Sequence, residues 1–302
     1  MPTFATHPLV ESDWLADHLA APDVRVVDAR WRGNGSGRTL YQAGHIPGAV
    51  HLDWQRDFGW TDERGVRDLL LPPDAFAAAM AQAGIGDRTR VVAYAETDYS
   101  GAARLWWALR YYGHRQVAIL NGGWTKWLAE GRPVSADEPH IAPASFTPRP
   151  QPAWLALANE IAQAVTQDAA TLRLVDTRPP EQYAGHALWT PHGSWFFPAG
   201  QNSLTRADGR TLRGGHIPGA VHWHASTMLD PSTWTYLPPA ELRAQAQARG
   251  LRPDQRIVTY CGVGISASLG LFALYLAGYR RLALYDASWE EWGGDPSLPI
   301  TC

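Results

Sequence analysis

Residues 257–268, IVTYCGVGISAS, join the end of a strand pattern to the start of a helix pattern around one cysteine. Residues 257–260 are β-branched or aromatic, as in a buried strand, and a helical pattern begins near Ser266. Cys261 and a glycine-broken loop lie between them. Because ligands of open α/β sheets gather where the strands end, we expect Cys261 at the ligand-binding edge of such a sheet.

The loop after Cys261 has the composition of an anion-binding site. Its glycines allow a tight bend that turns several backbone N–H groups inwards, and the following helix N-terminus adds partial positive charge. Both effects favour the thiolate, which is the nucleophilic form of cysteine. The alternative is a structural role, since free cysteines are commonly buried as small apolar residues. The loop residues are Gly262, Val263, Gly264, Ile265 and Ser266.

The chain contains the same ordered series of motifs twice. VVDAR, GHIPGAV and VAILNGGWTKW in the first half match LVDTR, GHIPGAV and LALYDASWEEW in the second half. A Pro- and Ala-rich segment without periodic pattern separates the two copies and reads as a linker. The sequence therefore predicts two homologous domains, at residues 1–135 and 154–302, joined by a linker at 136–153.

Short apolar strand patterns alternate with amphipathic helix patterns within each copy. This alternation predicts an α/β fold in which a parallel sheet is covered by helices on both faces. The position that matches Cys261 in the first copy is Ala95, in a loop that carries Glu96 and Asp98 but no thiol. We therefore expect the second domain to be catalytic and the first to be inactive.

Composition limits the classes of partner. The 302 residues are 45% hydrophobic and 18% charged, and the net charge of −3 gives no reason to expect binding to nucleic acid or to an anionic membrane. No signal peptide or membrane span is apparent. Two cysteines make no disulfide framework, which favours a cytoplasmic location. His222 and His224 lack a third ligand, so we expect no metal site.

The motifs together resemble the tandem rhodanese-type sulfurtransferases over nearly the full length. The resemblance is carried by DAR and DTR, by GHIPGA twice, by CGVGIS, by NGGWxxW and DASWxxW, and by the closing WGGDPSLPI. It implies two rhodanese-like domains, each a parallel sheet flanked by helices. It also implies that thiosulfate or 3-mercaptopyruvate leaves a persulfide on Cys261, held by the loop amides, and that a thiol or cyanide then removes the sulfur.

The resemblance implies no metal or organic cofactor, and it leaves the sulfur donor open. The neutral, glycine-rich loop is similar to that of members that prefer 3-mercaptopyruvate, but Val263 stands where those enzymes usually have a serine. The acceptor is expected to be a small thiol or a thiol protein of the thioredoxin-like kind.

The family's substrate-binding arginines match this chain only in part. Gln182 occupies the position of one of them, six residues after Asp176, and offers hydrogen bonds without charge. Arg210 has the spacing nearest to that expected of the second, with Arg206 and Arg213 also within reach. Further substrate-binding candidates are Arg178 of the DTR motif and, from the first copy, Trp31 and Asp53.

Residues 186–205, HALWTPHGSWFFPAGQNSLT, show neither strand nor helix periodicity, and we expect an aromatic loop that forms a lid, a cleft wall or a packed flap.

Two other functions compete with sulfur transfer. A cysteine phosphatase would need an arginine six positions after Cys261, where this chain has Ala267. A sulfur-relay or regulatory binding protein with little turnover stays open, because Gln182 replaces the expected arginine.

Overall fold

The structure is a computed structural model that describes residues 7–97, 99–167 and 172–302, so Asp98 of the first-copy loop lies outside the described residues. These residues form two compact units. The first contains the described residues of Met1–Trp60, Leu70–Gln151 and Leu229–Tyr236, and the second contains those of Thr61–Leu69, Pro152–Met228 and Leu237–Cys302. The domain boundaries drawn from the sequence stay a prediction.

The first copy of the repeat forms a parallel sheet in the strand order β1-β7-β6-β2-β3. A separate two-stranded sheet pairs β4 with β5. The strands are β1 (Leu9–Val10), β2 (Val24–Asp28), β3 (Val50–His51), β4 (Gly59–Trp60), β5 (Leu69–Leu70), β6 (Arg90–Tyr94) and β7 (Val117–Leu120), and the helices are α1 (Ser12–His18), α2 (Gly37–Ala43), α3 (Pro73–Gln82), α4 (Ser100–Tyr111) and α5 (Gly123–Ala129).

The second copy forms a sheet of the same topology, in the strand order β8-β16-β15-β9-β14, again with parallel pairs. Two antiparallel hairpins, β10-β11 and β12-β13, are inserted between β9 and β14. The strands are β8 (Leu155–Ala156), β9 (Leu172–Asp176), β10 (Ala187–Thr190), β11 (Gly193–Phe196), β12 (Ser203–Thr205), β13 (Thr211–Arg213), β14 (Val221–His222), β15 (Arg256–Tyr260) and β16 (Leu282–Tyr285), and the helices are α6 (Ala158–Thr166), α7 (Pro180–Tyr183), α8 (Pro239–Ala248), α9 (Ile265–Leu276) and α10 (Ser288–Trp292).

The predicted α/β fold, with a parallel sheet in each copy of the repeat, is confirmed by this topology. In the second copy the centre of the core is β15 with the helix that follows it, α9, whose residues are buried on nearly every side. A strand that is covered on both faces needs a continuous apolar run, which Ile257–Tyr260 supplies. The central strand and its helix thus form a rigid base for the loop between them.

A buried ion pair connects the end of the strand to the GHIPGA turn in each repeat. Arg178 binds the Asp176 carboxylate through Nε at 3.0 Å and Nη2 at 2.5 Å, and Nη2 also donates to the Gly215 carbonyl at 2.7 Å. Burial lowers the pKa of the Arg178 guanidinium, but its neighbours, chiefly Asp176 through its charge and its hydrogen bonds, together raise this pKa by more, so it lies above its ordinary value. Arg30 and Asp28 make the same contacts in the first repeat, with the Gly44 carbonyl at 2.6 Å.

We predict that Arg30→Ala and Arg178→Ala destabilise the protein to a similar extent. Each change leaves a buried carboxylate without its cation, which costs about 3–5 kcal/mol of the free energy of unfolding. Chemical denaturation measures the effect, and Arg173→Ala, at an exposed position of β9, is the control. Wild-type stability in Arg178→Ala would contradict a structural role for this arginine.

Candidate active site

Cys261 lies directly after the central strand β15, and α9 begins at Ile265, one residue earlier than the sequence indicates. The predicted strand–loop–helix arrangement is therefore confirmed. Cys261 is buried, with 3% of its surface exposed. The first turn of α9, whose N–H groups lack intrahelical acceptors, begins four residues after it.

The two loop glycines are required for different reasons. Gly264 is the N-cap of α9 and has a left-handed φ of +79°, which glycine adopts without steric strain. Gly262 packs under an aromatic side chain, since a Cβ atom built on it would lie 2.8 Å from Trp189 Cβ. Side chains at either position would displace the loop backbone or the indole that covers it.

The turn between β16 and α10 fixes the loop backbone. The Cys261 N–H donates to Ser288 Oγ at 3.1 Å, the Trp289 N–H donates to the Cys261 carbonyl at 2.9 Å, and the Glu290 N–H donates to the Gly262 carbonyl at 2.9 Å. The amides of Gly262, Val263 and Gly264 have no backbone acceptor within the described part of the chain. These N–H groups are thus available to an anion on the cysteine sulfur.

Ser288 is a residue that the sequence reasoning missed. It adopts a φ of +50°, a conformation that is strained for a non-glycine residue, while its hydroxyl donates to the Tyr285 carbonyl at 2.8 Å and accepts from Cys261. The matching residue of the first repeat is Gly123, with a φ of +49°. The one available signal was this glycine-to-serine difference between NGGW and DASW.

A small pocket adjoins the cysteine loop at Gly262 and lies within the second unit. Its walls combine two arginines, one glutamine and one glutamate with apolar and indole surfaces. The lining residues are Arg178, Gln182, Leu188, Trp189, Arg206, Leu212, Gly262, Trp289 and Glu290. Two of the predicted substrate-binding residues, Arg178 and Gln182, therefore meet the cysteine loop at one pocket.

The Gln182 amide has a fixed orientation. Its Nε2 donates to Ser194 Oγ at 2.9 Å, and this hydroxyl donates its single hydrogen to Glu181 at 2.5 Å. Since Ser194 can only accept from the amide, Gln182 must turn Oε1 away from it. That oxygen is buried and has no hydrogen-bond partner among the described residues. A buried acceptor of this kind is stabilised by a hydrogen-bond donor from a ligand or a water molecule.

The three arginines considered for the second substrate contact have different hydrogen-bond partners. Arg213 donates to main-chain carbonyls, including those of Trp292 and Gly293, and so supports the end of α10. Arg206 and Arg210 both bind the Glu290 carboxylate, and Arg206 also lines the pocket. The substrate-binding roles of Arg210 and of Arg206, which the sequence also places within reach, stay predictions.

Comparison with known proteins identifies the family. The Rhodanese-like domain family matches residues 11–130 and again residues 157–295. The chain belongs to this family. Among its relatives, the sulfur carrier protein TtuD of Thermus thermophilus is 35% identical over 299 residues, which cover 97% of each chain. The thiosulfate sulfurtransferase of Corynebacterium glutamicum is 32% identical and covers 97% of this chain and 91% of its own.

A solved structure agrees with this assignment. The 3-mercaptopyruvate sulfotransferase SseA of Escherichia coli superposes with a TM-score of 0.77 at 26% identity, over 93% of this chain and 98% of its own. The rhodanese-family resemblance stated from the motifs is therefore confirmed, and the chain is a sulfurtransferase of that family.

The two candidates from the first copy lie in the first unit of this rhodanese-family protein. Trp31 packs against Trp54 with ring centroids 5.0 Å apart, and Asp53 Oδ1 accepts the Gln55 N–H at 2.9 Å. Both side chains are thus part of the local packing after β2 and β3. Their roles in substrate binding stay predictions.

Residues 186–205 are more regular than the sequence indicates. The expectation of a loop without strands is wrong, because β10 and β11 form a hairpin and β12 begins a second one. The strands are three or four residues long and mix aromatic with polar side chains, so they carry no alternating pattern. Trp189 of β10 covers Gly262, whereas Trp195 and Phe196 are 36% and 61% exposed.

The described residues contain neither a membrane-spanning helix nor a cluster of metal ligands. In residues 7–97, 99–167 and 172–302, no helix has both the length and the apolar character that crossing a membrane requires. Over the same ranges, no group of three or more His, Cys, Asp or Glu side chains is placed to hold a metal ion.

We predict that Ser288→Gly slows alkylation of Cys261 by iodoacetamide about fivefold, the effect of losing one hydrogen bond of about 1 kcal/mol. Glycine accepts the left-handed backbone without strain, so the thermal midpoint should not fall. Ser226→Gly, an exposed serine change, is the control. An unchanged alkylation rate would show that the Ser288 hydroxyl does not position the loop.

Proposed function

We propose that this protein transfers sulfane sulfur from thiosulfate or 3-mercaptopyruvate to a thiol or to cyanide through a persulfide on Cys261. The observation that carries the proposal is the placement of Cys261. It lies at the end of the central strand, next to loop amides without backbone acceptors in the described chain, and the turn at Ser288 holds that loop. The equivalent residue of the first repeat is Ala95.

The first half-reaction loads the cysteine. The Cys261 thiolate attacks the outer sulfur of thiosulfate, a new S–S bond forms, and the S–S bond of the donor breaks with its electron pair leaving on sulfite. With 3-mercaptopyruvate the C–S bond breaks instead, and the thiol proton ends on carbon as pyruvate leaves. Both routes leave the persulfide anion on Cys261, as in covalent catalysis by an activated nucleophile.

The second half-reaction removes the outer sulfur from the Cys261 persulfide. An acceptor thiolate or cyanide attacks the outer sulfur, the persulfide S–S bond breaks, and the Cys261 thiolate is restored. We propose that the backbone N–H groups of the loop stabilise both anions, because amides that are fixed before the reaction need no reorganisation during it. These groups belong to Gly262, Val263, Gly264, Ile265 and Ser266.

The remaining assignments are proposals of the same kind. Gln182 is proposed to contact the sulfur donor by accepting, at its buried Oε1, a hydrogen bond from the thiol of 3-mercaptopyruvate or from a bridging water, since thiosulfate has no hydrogen to donate. Arg210 is proposed to contact the sulfur donor through the arginine cluster that it shares with Arg206. Arg178, which lines the pocket, and Trp31 and Asp53 of the first unit stay proposed as substrate-binding residues. The acceptor is a small thiol or a thioredoxin-like protein, and the low cysteine count supports a cytoplasmic location.

A sulfur-relay role is the second candidate, and two observations favour it. One relative carries the name sulfur carrier protein, and the Cys261 side chain is nearly enclosed beside a small pocket. Turnover to thiocyanate and to sulfide, measured with thiosulfate and 3-mercaptopyruvate as separate donors, distinguishes the two roles. Negligible rates with both donors, together with persulfide formation on Cys261, would favour the relay.

We predict that Cys261→Ser abolishes sulfur transfer, with a loss of at least about a thousandfold, because the residual rate lacks the covalent intermediate. Intact mass after incubation with each donor should show one added sulfur atom on the wild-type protein and none on this variant. Cys302→Ser is the control, since Cys302 is exposed and its sulfur lies 3.7 Å from the Gly214 carbonyl oxygen. Equal losses in both variants would contradict a single-cysteine mechanism.

A further inference from the structure

Three guanidinium groups converge on one carboxylate oxygen beside the Cys261 loop. Glu290 Oε1 accepts hydrogen bonds from Arg206 Nη1, from Arg210 Nη1 at 3.0 Å and from Arg67 Nε at 3.3 Å. The Glu290 side chain is 2% exposed, whereas the arginines reach it from partly exposed positions. All four residues belong to the second unit, which includes Thr61–Leu69.

The Glu290 backbone is fixed against the Cys261 loop. The Glu290 N–H donates to the Gly262 carbonyl at 2.9 Å, and the Glu290 carbonyl accepts from Arg210 Nη2 at 2.8 Å. Arg210 Nη1 also donates to the Gly65 carbonyl. Glu290, Arg206 and Gly262 line the same pocket. A negative charge is therefore built into the wall of the pocket that adjoins the loop.

Glu290 lowers the attraction of this pocket for a doubly negative ligand. Arg178 is compensated by Asp176, and Gln182 adds no charge. Arg206 is the clustered arginine that lines this pocket, and Glu290 already binds Arg206 and its two neighbours as an internal anion. Repulsion between Glu290 and a bound anion grows in proportion to the charge of that anion.

The scaffold itself does not require a carboxylate at this position. In the aligned motif of the first repeat, NGGWTKW, the residue that matches Glu290 is Thr125, and α5 forms there as α10 does in the second repeat. The fold of the motif therefore tolerates a small neutral side chain. The carboxylate is a feature of the repeat that carries the cysteine.

We propose that Glu290 is a specificity-determining residue, an internal counter-anion of the arginine cluster that disfavours dianionic sulfur donors such as thiosulfate relative to monoanionic donors such as 3-mercaptopyruvate. The proposal rests on the sulfur transfer proposed above, which it deepens by naming the charge class of the donor. It assigns the discrimination to charge, since the shape of the pocket is unaltered by exchange of the carboxylate for an amide.

The test is donor kinetics of Glu290→Gln and of Glu290→Thr, the residue of the first repeat. Loss of the negative charge should lower KM about tenfold for thiosulfate and about threefold for 3-mercaptopyruvate, because a dianion gains twice as much as a monoanion. The matched control is Glu291→Gln, since the neighbouring carboxylate accepts from Tyr285 Oη at 2.8 Å and pairs with Arg64 outside this pocket. It should keep the wild-type KM ratio.

A purely structural role for Glu290 gives a different result. The arginines would then lose their alignment, KM would rise for both donors by the same factor, and the KM ratio would stay at its wild-type value. That outcome overturns the proposal. Thermal midpoints identify a variant that has lost its fold, and either of the two substitutions suffices for the test.

Binding without turnover separates this inference from the proposed function. Calorimetric titration of thiosulfate into Cys261→Ser and into Cys261→Ser with Glu290→Gln compares the affinities without sulfur transfer. Tighter binding in the double variant supports the charge discrimination even if the wild-type protein turns over neither donor, and equal affinities overturn it. Absence of wild-type turnover and of persulfide formation would instead refute the proposed function.

Discussion

The backbone between β15 and α9 is held by three hydrogen bonds from the turn after β16, and the rest of the site depends on them. Ser288 accepts from the Cys261 N–H, while Trp289 and Glu290 donate to the carbonyls of Cys261 and Gly262. The carbonyls of Cys261 and Gly262 are thus bonded to α10, whereas the amides of Gly262, Val263 and Gly264 have no backbone acceptor among the described residues. In the proposed mechanism these amides stabilise an anion on the Cys261 sulfur, where low solvent access makes electrostatic stabilisation strong.

The two repeats show which parts of this arrangement belong to the scaffold and which belong to the chemistry. Both contain the buried Asp–Arg pair bonded to the GHIPGA turn. In both, the backbone N–H of a tryptophan in the first turn of the last helix, Trp124 or Trp289, donates to the carbonyl of the matching loop residue, Ala95 or Cys261. They differ at Ala95 against Cys261 and at Gly123 against Ser288. Glycine adopts the left-handed φ of this position without strain. Ser288 is strained there, but its hydroxyl accepts a hydrogen bond from the Cys261 N–H.

Charge in the neighbouring pocket is balanced more closely than the number of arginines suggests. Asp176 compensates Arg178, Glu290 compensates part of the cluster, and Gln182 presents an unpartnered acceptor in place of a cation. Burying a charge is tolerated when it is paired, so each of these arginines can remain in a low-dielectric wall. The same pairing weakens the attraction that any one of them exerts on an anionic substrate. This balance of charge is the basis of the donor preference proposed for Glu290.

The sequence by itself determined the repeat, the α/β fold and the position of Cys261, because strand and helix periodicity and glycine-rich loops are properties of short stretches of chain. It did not reveal that 187–196 form a hairpin, since short strands with mixed faces carry no periodic signal. The orientation of Gln182 and the meeting of Arg67, Arg206 and Arg210 at Glu290 were decided by the tertiary structure alone. Arg67 and Glu290 are 223 positions apart, and only packing of the folded chain brings such side chains within hydrogen-bond distance.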